Sequence, residues 1–118
     1  MQSAREAAAC FGQESMITLR AEGYEARIAP AAGGRLASLD WIGAGGSRPL
    51  LVPMDGQHFD PHNWPKAGAF PMIPFANRLA TEGFSFRGKQ VRPQPGPQGF
   101  ALHGLAHRRP WQVITQKA

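Results

Sequence analysis

The chain has 118 residues, of which 42% are hydrophobic and 9% aromatic, which is enough for the core of one ordinary domain and argues against disorder throughout. Its 14 glycines and 11 prolines interrupt the sequence too often for long helices and favour short strands joined by turns. The formal net charge is +5, but no basic run exceeds the pair Arg108 and Arg109, so we expect a solvated basic surface and no nucleic-acid partner.

The N-terminal stretch and the cysteine content favour a cytoplasmic protein. Residues 1–15 predict a leader that is frayed or forms a short helix, because their apolar run at residues 7–11 is too short and weak for a signal peptide or a membrane span. Cys10 is the single cysteine, which excludes an internal disulfide and fits a reducing compartment. We therefore expect a cytoplasmic chain with no membrane partner, and Met16, where the patterned sequence begins, is a candidate for the natural start.

The patterned sequence begins with three predicted strands. Residues 17–20 and 24–29 lie on either side of Glu22 and Gly23, and the second of them alternates apolar with polar side chains. This arrangement predicts a hairpin with one solvated face. After an interruption that contains proline and glycine, residues 35–42 form a third predicted strand.

The middle of the chain is predicted to be irregular. Residues 43–49 are expected to form a glycine-rich turn, and residues 54–68 a polar excursion broken by prolines. The glycine run precedes neither a Lys-Ser/Thr pair nor a helix pattern, so it predicts a plain loop and not a phosphate cradle. Residues 70–75 are apolar but contain two prolines, so they should run extended along a sheet edge or a pocket wall.

A second hairpin and a last strand are predicted towards the C-terminus. Phe84 and Phe86 alternate with polar residues, and the Gly88-Lys89 step turns the chain towards residues 90–92. A stiff polar connector follows, and residues 111–115 predict one more strand. The predicted fold class is therefore all-β.

Two polar bends carry the candidate site. Asn77 and Arg78 follow a run of apolar residues, and His103 lies between Leu102 and Gly104, an apolar anchor and a flexible turn residue. The bends flank the second hairpin, so their side chains can converge from neighbouring strand ends. A guanidinium and a carboxamide that emerge from an apolar wall suit a polyhydroxylated ligand. The alternative interpretation is that Arg78 is an ordinary solvated arginine and His103 a structural histidine.

The remaining aromatic and histidine residues leave alternatives open. Trp111, Phe75 or Trp64 could stack on a sugar face, but each is equally suited to a core.

The four histidines form two pairs with i and i+4 spacing, which on a helix could share zinc. Proline or glycine lies inside each pair and no carboxylate or cysteine lies at ligand spacing, so we expect no metal site and no cofactor.

In these motifs the sequence resembles the aldose 1-epimerases, the galactose mutarotase-like family. The resemblance covers most of residues 16–116. It consists of the opening hairpin, a Gly-Gly-Arg-Leu step at 33–36, a Pro-Phe-Ala-Asn-Arg-Leu turn at 74–79 with its Gly-Phe-Ser-Phe-Arg-Gly continuation, an Ala-Leu-His-Gly turn at 101–104 and a following tryptophan. The Asn-Arg and Leu-His-Gly turns are fairly specific in this order and separation, although either alone is weak.

The resemblance implies an antiparallel β-sandwich whose concave face binds a hexose and whose activity interconverts α and β anomers. It implies that Asn77, Arg78 and His103 bind the substrate, with His103 also catalytic because it lies near the ring oxygen. In the family, a second histidine later in the chain is the usual acid and a far C-terminal glutamate is the base. Imidazole and carboxylate suit these roles because modest shifts bring their pKa values towards neutrality.

The chain departs from the family in its length and in its acid and base groups. Family members are much longer, and the last carboxylate side chain here is Glu82, before His103. His107 lies too close to His103 to match the second histidine. We therefore expect residues 16–118 to be an incomplete, N-terminal part of the sandwich that binds a hexose or hexose-phosphate and is inactive alone. Its exposed strand edges favour self-association.

Two other functions are compatible with the sequence. A non-catalytic sugar-binding module would use the same pocket without a base. A small basic nucleic-acid-binding β domain is the third possibility, and it would bind oligonucleotides with a steep dependence on salt.

Overall fold

The computed structural model describes residues 16–54, 59–63 and 66–117, so the leader expected at residues 1–15 lies outside the described residues. In the described part the chain is all-β, with two 3-10 turns, and none of these residues forms a helix long and apolar enough to cross a membrane. The strands are β1 (Ile17–Ala21), β2 (Tyr24–Ala29), β3 (Arg35–Gly43), β4 (Gly46–Pro49), β5 (Phe84–Phe86) and β6 (Lys89–Val91). The 3-10 turns are Pro30–Ala32 and Ala106–Arg108.

All strand pairs are antiparallel and join neighbours in the sequence. β1 to β4 form one sheet in chain order, and β5 with β6 form a separate two-stranded sheet. The predicted all-β class, the first three strands and the second hairpin are therefore confirmed.

Two-residue turns set both predicted hairpins. Glu22 and Gly23 join β1 to β2 with φ of 48° and 84°, and Arg87 and Gly88 join β5 to β6 with φ of 48° and 74°. Positive φ at both central residues gives a turn whose twist matches that of antiparallel strands. The second turn lies one residue earlier than the Gly88-Lys89 step would place it, because Lys89 already pairs with Phe86.

A β-bulge in β3 determines where the small hydrophobic core lies. The register between β2 and β3 shifts after Arg27 and leaves Ala37 without a partner on β2. The carbonyl of Ala37 accepts a hydrogen bond from the Met54 N–H at 2.7 Å, which holds the chain after β4 against the sheet. The buried hydrophobic cluster consists of Ala29, Ala32, Ala37, Met54 and Phe59.

The structure corrects two of the expected elements. Residues 43–49 are not all turn, since Ala44 and Gly45 make the turn and β4 pairs with the end of β3. The strand expected at residues 111–115 is not formed, because no neighbouring segment within the described residues supplies a ladder for it. Its Trp111 N–H donates a hydrogen bond to the carbonyl of Pro30, in the first 3-10 turn, at 2.9 Å.

The proline-containing segment at residues 70–75 behaves as expected. Within it, Ile73 makes an isolated bridge with Gly104 in place of a ladder, and Ala69, directly before the segment, makes one with Leu36. Proline cannot donate to a ladder, so a segment with two prolines is limited to such single contacts. The segment therefore runs between the β1–β4 sheet and the bend at His103.

Large apolar side chains remain exposed in the described part of the chain. Ile114 is 90% exposed, Val52 65% and Phe86 59%, whereas most of the fully buried hydrophobic residues are alanines. Exposed apolar surface of this extent is typical of a face that another polypeptide covers.

Candidate functional site

The two polar bends predicted from the sequence lie side by side. The Asn77 N–H donates a hydrogen bond to His103 Nδ1 at 2.9 Å, and the His103 N–H donates to the Asn77 carbonyl at 2.9 Å. Next to this pair, Arg78 forms an antiparallel bridge with Leu102. The structure thus joins Asn77 directly to His103 across 26 positions of sequence.

Both bends hold their central residue in the left-handed region of the backbone map. Asn77 has φ of 62° and His103 has φ of 58°. Asparagine tolerates this conformation because its short side chain can bond locally, whereas histidine adopts it less readily. The reciprocal hydrogen bonds between the bends hold His103 in this conformation, and strained residues that are fixed by their surroundings are common at functional sites.

Gly104 allows the second bend to approach the chain at Ile73. The carbonyl of Ile73 accepts hydrogen bonds from the Leu105 N–H at 2.8 Å and from the Ala106 N–H at 3.2 Å. A Cβ at Gly104 would lie 2.0 Å from that carbonyl oxygen, and φ at Gly104 is 69°. The glycine in the Leu-His-Gly motif is therefore required by both conformation and space.

The hydrogen bond to Asn77 selects one tautomer of the His103 imidazole. Because Nδ1 accepts the Asn77 N–H, a neutral His103 ring carries its proton on Nε2. The ring also lies edge-on to Phe70, with centroids 5.7 Å apart and an interplanar angle of 64°. His103 can therefore present a directed N–H donor to an acceptor such as a sugar oxygen.

The Arg78 and Asn77 side chains are exposed and partly engaged by their neighbours. The Arg78 guanidinium lies over the Phe100 ring, 4.7 Å from its centroid. Asn77 Oδ1 accepts the Arg78 N–H at 2.8 Å, so the amide nitrogen is the donor that the carboxamide can offer outwards. The guanidinium thus lies beside Phe100, and the imidazole lies beside Phe70.

His107 is fully buried behind His103, a placement that the sequence reasoning missed. Its ring centroid lies 5.0 Å from Phe70 and 6.3 Å from His103. Burial first, and then electrostatic repulsion by Arg108, His103 and Arg35, lowers the pKa of His107 to about 4. His107 is consequently neutral at pH 7. The i and i+4 spacing of the two histidines was the available signal.

Arg35 of the Gly-Gly-Arg-Leu step completes the group around Phe70. Its guanidinium is fully buried, lies 5.0 Å from the Phe70 centroid and donates from Nη1 to the Ala67 carbonyl at 3.3 Å. Burial lowers the pKa of Arg35 below its usual value. The Arg35 guanidinium lies over the Phe70 ring, and Phe70 contacts His103, so Arg35 connects β3 to the surroundings of His103.

The two glycines of the same step let the C-terminal segment approach the sheet. A Cβ at Gly33 would lie 2.1 Å from the His107 carbonyl oxygen, and one at Gly34 would lie 2.6 Å from the Trp111 ring. Trp111 Nε1 donates to the Ala106 carbonyl at 2.8 Å. The Trp111 ring therefore packs over Gly34, directly before β3.

The other two aromatic residues proposed to stack on a sugar face were Phe75 and Trp64. Phe75 is half-buried, and Trp64 lies outside the described residues. The aromatic rings beside the two bends are instead those of Phe70 and Phe100, which the sequence reasoning did not single out. Phe100 also borders a cavity of about 470 Å³ that is lined by the polar residues Glu82, Arg92 and Gln94.

Within the described ranges, no three His, Cys, Asp or Glu side chains lie together as metal ligands would.

Comparison with known proteins agrees with this architecture. The family model described as aldose 1-epimerase matches residues 15–118. The GalM/aldose epimerase homologue from C. elegans superposes with a TM-score of 0.64 at 24% identity, and the Slr1438 protein from Synechocystis sp. PCC 6803 with a TM-score of 0.63 at 23% identity. At this identity the likeness shows the fold, which confirms the galactose mutarotase-like class.

The same comparisons define how much of the fold this chain represents. Each superposition covers 86% of this chain and 32% of the other chain, so the chain spans about a third of the length of these relatives. Among curated proteins, none matches it.

Proposed function

Because this chain belongs to the aldose 1-epimerase family, we propose that it is the carbohydrate-binding N-terminal portion of an aldose 1-epimerase-like protein, which interconverts the α and β anomers of a hexose. The observation that carries this proposal is the reciprocal pair of hydrogen bonds between Asn77 and His103. These bonds bring the two motifs of the resemblance together and orient the imidazole. The single cysteine supports a cytoplasmic location.

Each of the three polar groups has a role that its chemistry suits. Anomer interconversion requires a base that takes the proton of the anomeric hydroxyl and an acid that protonates the ring oxygen, after which the ring opens and recloses. His103 is catalytic in this proposal because its Nε2–H donates to the ring oxygen. Arg78 and the amide nitrogen of Asn77 donate to sugar hydroxyls, which accept in fixed directions.

Binding without turnover is the behaviour we propose for these 118 residues alone. The reaction also needs a second acid or base group, and His107 is fully buried and so cannot contact a sugar. No Asp or Glu follows Glu82 in the sequence. These two observations favour a sugar-binding module over a complete catalyst, and they make turnover dependent on further protein.

A titration with glucose and galactose, followed by NMR, tests the proposal. We expect saturable shifts, and we expect Arg78→Ala to weaken binding by about tenfold, the loss of roughly one charge-assisted hydrogen bond. Arg87→Ala is the matched control, because the Arg87 guanidinium also lies over a phenylalanine, 5.3 Å from the Phe86 centroid, but outside the two bends.

Three results would contradict the proposal. Equal effects of Arg78→Ala and Arg87→Ala on sugar affinity, or no saturable shift in the parent chain, would remove the sugar site. Polarimetry on freshly dissolved α-glucose supplies the second test, since faster mutarotation with the isolated chain would show that the site is already complete.

A further inference from the structure

The cavity beside Phe100, of about 470 Å³, adjoins the paired bends. Three consecutive pairs of residues join the two bends: Asn77 with His103, Arg78 with Leu102 and Leu79 with Ala101. The third pair, in which the Leu79 N–H donates to the Ala101 carbonyl at 3.1 Å, also lines the cavity. The cavity therefore begins two residues from Asn77, or at most about 7 Å along the chain.

Contacts within the chain hold the three walls of the cavity. Residues 79–82, 92–95 and 99–101 contribute these walls. The Thr81 hydroxyl donates to the Gly83 carbonyl at 2.6 Å, and the Gly96 N–H donates to the Phe100 carbonyl at 2.9 Å. The hairpin of β5 and β6 connects the first wall to the second. The volume lies within the range of about 300–1,000 Å³ that is usual for preformed ligand pockets.

Two of the polar side chains that line the cavity carry opposite charges. Glu82 supplies a carboxylate and Arg92 a guanidinium, and Gln94 adds a neutral carboxamide. In the described ranges the only ion pair joins Arg20 to Glu25, so Glu82 and Arg92 do not pair with each other. A hydroxyl both donates and accepts, so an acceptor and a donor on one cavity suit a neutral polyhydroxylated group. An anionic group would be attracted by Arg92 but repelled by Glu82.

Phe100 connects the cavity to the proposed sugar site. It is half-buried and lines the cavity, and the Arg78 guanidinium lies over its ring, 4.7 Å from the centroid. Pro93 and Pro95 add apolar surface, and their fixed φ angles restrict the motion of their wall. Apolar surface beside a few polar groups is the usual lining of a small-molecule site. An aromatic ring in this position can pack on the apolar face of a sugar ring.

We propose that this cavity is a second sugar subsite, which takes a glycosyl unit linked to the hexose at the bends. The ligand is then a reducing oligosaccharide, whose reducing hexose meets His103 and whose next unit enters the cavity. Glu82 accepts from hydroxyls of the second unit, and Arg92 donates to them. The inference rests on the proposed function for the place of the reducing hexose and extends the ligand beyond a single ring.

Titrations with glucose and with three disaccharides, followed by NMR, test the subsite. Maltose, lactose and isomaltose each end in a reducing glucose and differ in the second unit or its linkage. We expect the parent chain to bind at least one of them about tenfold more tightly than glucose, the gain from one hydrogen bond to a charged group. This disaccharide should also shift backbone resonances of residues 80–82 and 92–95 that glucose leaves unchanged.

Two substitutions test the polar groups of the cavity. Arg92→Met removes the guanidinium but keeps the aliphatic stem, whose Cγ lies 2.9 Å from the position of a Cβ built on Gly83. Glu82→Ala removes the carboxylate of an exposed side chain. Each should weaken disaccharide binding by about tenfold, towards the affinity for glucose. Arg87→Ala lies on the same hairpin but outside the cavity lining and is the matched control. Dispersed β-strand resonances establish that each variant is folded.

The proposed subsite is overturned if all three disaccharides bind the parent chain no more tightly than glucose. Equal losses of disaccharide affinity in Arg92→Met and Arg87→Ala would overturn it as well. Glucose 6-phosphate supplies a further test, since an Arg92-dependent gain with this sugar and none with the disaccharides would assign the cavity to an anion.

The same titrations separate the subsite from the proposed function. If glucose gives saturable shifts but no disaccharide binds more tightly, the sugar site at the bends holds and the subsite fails. If glucose gives none, while a disaccharide binds with an affinity that depends on Glu82 and Arg92 but not on Arg78, the cavity binds sugar and the site at the bends fails.

Discussion

Replacement of Gly104 by alanine is the most direct test of the packing of the bend that carries His103. The new Cβ would lie 2.0 Å from the Ile73 carbonyl oxygen, and the residue would have to keep φ at 69°. The left-handed conformation costs a non-glycine residue about 1–2 kcal/mol. Displacement of the Ile73 backbone adds about 1–3 kcal/mol, the usual range for an overpacked site. We therefore expect the free energy of unfolding to fall by about 2–5 kcal/mol.

Gly99→Ala is the matched control for this substitution. Gly99 has φ of 84°, but no atom lies within 4 Å of an added Cβ, so that only the conformational cost of about 1–2 kcal/mol applies. Urea unfolding followed by circular dichroism measures both variants. If they lose the same stability, the close approach of Gly104 to Ile73 contributes nothing and the reasoning fails.

Two further predictions concern pH and association. The pKa of His107 is lowered to about 4 from an unfolded value near 6.5, so unfolded chains bind more protons than folded chains in this pH range. The free energy of unfolding should therefore fall by on the order of 2–3 kcal/mol as the pH is lowered from 6.5 to 4. His107→Phe should flatten this part of the stability profile; a slope equal to that of the parent chain would refute the assignment. The exposed Val113 and Ile114 should promote self-association, so light scattering should show larger species for the parent chain than for a Val113→Asp, Ile114→Asp double variant. A parent chain that stays monomeric at high concentration would contradict this.

The two bends were predictable because their signal is local. Asn77, Arg78 and His103 are polar residues in apolar surroundings, and the hairpin at Phe84–Phe86 and Lys89–Val91 returns the chain between them. Turn chemistry likewise identified the Glu22-Gly23 hairpin, because glycine readily adopts the positive φ that a tight turn requires. The structure confirms the adjacency of the bends, and the convergence of their side chains on one sugar remains a prediction.

The missed features depend on contacts between distant parts of the chain. β4 contains glycine and proline, which disfavour a strand, yet the preceding turn brings Gly46–Pro49 into register with β3. Residues 111–115 have a strand-like pattern, but a strand also needs a neighbour that pattern alone does not supply. The burial of His107 depends on Gly33, which is distant in the sequence, so the i and i+4 spacing signalled only that the two histidines lie near each other.

The connectivity of the sheet has a consequence for the order of assembly. β1 to β4 pair with their immediate neighbours in the sequence, so their contacts close short loops at low entropic cost. The Asn77–His103 pair closes a longer loop of 26 positions and depends on the segment before it being in place. The sheet is therefore expected to assemble early and the paired bends late. The same logic implies that a partial opening can separate the bends while the sheet stays intact.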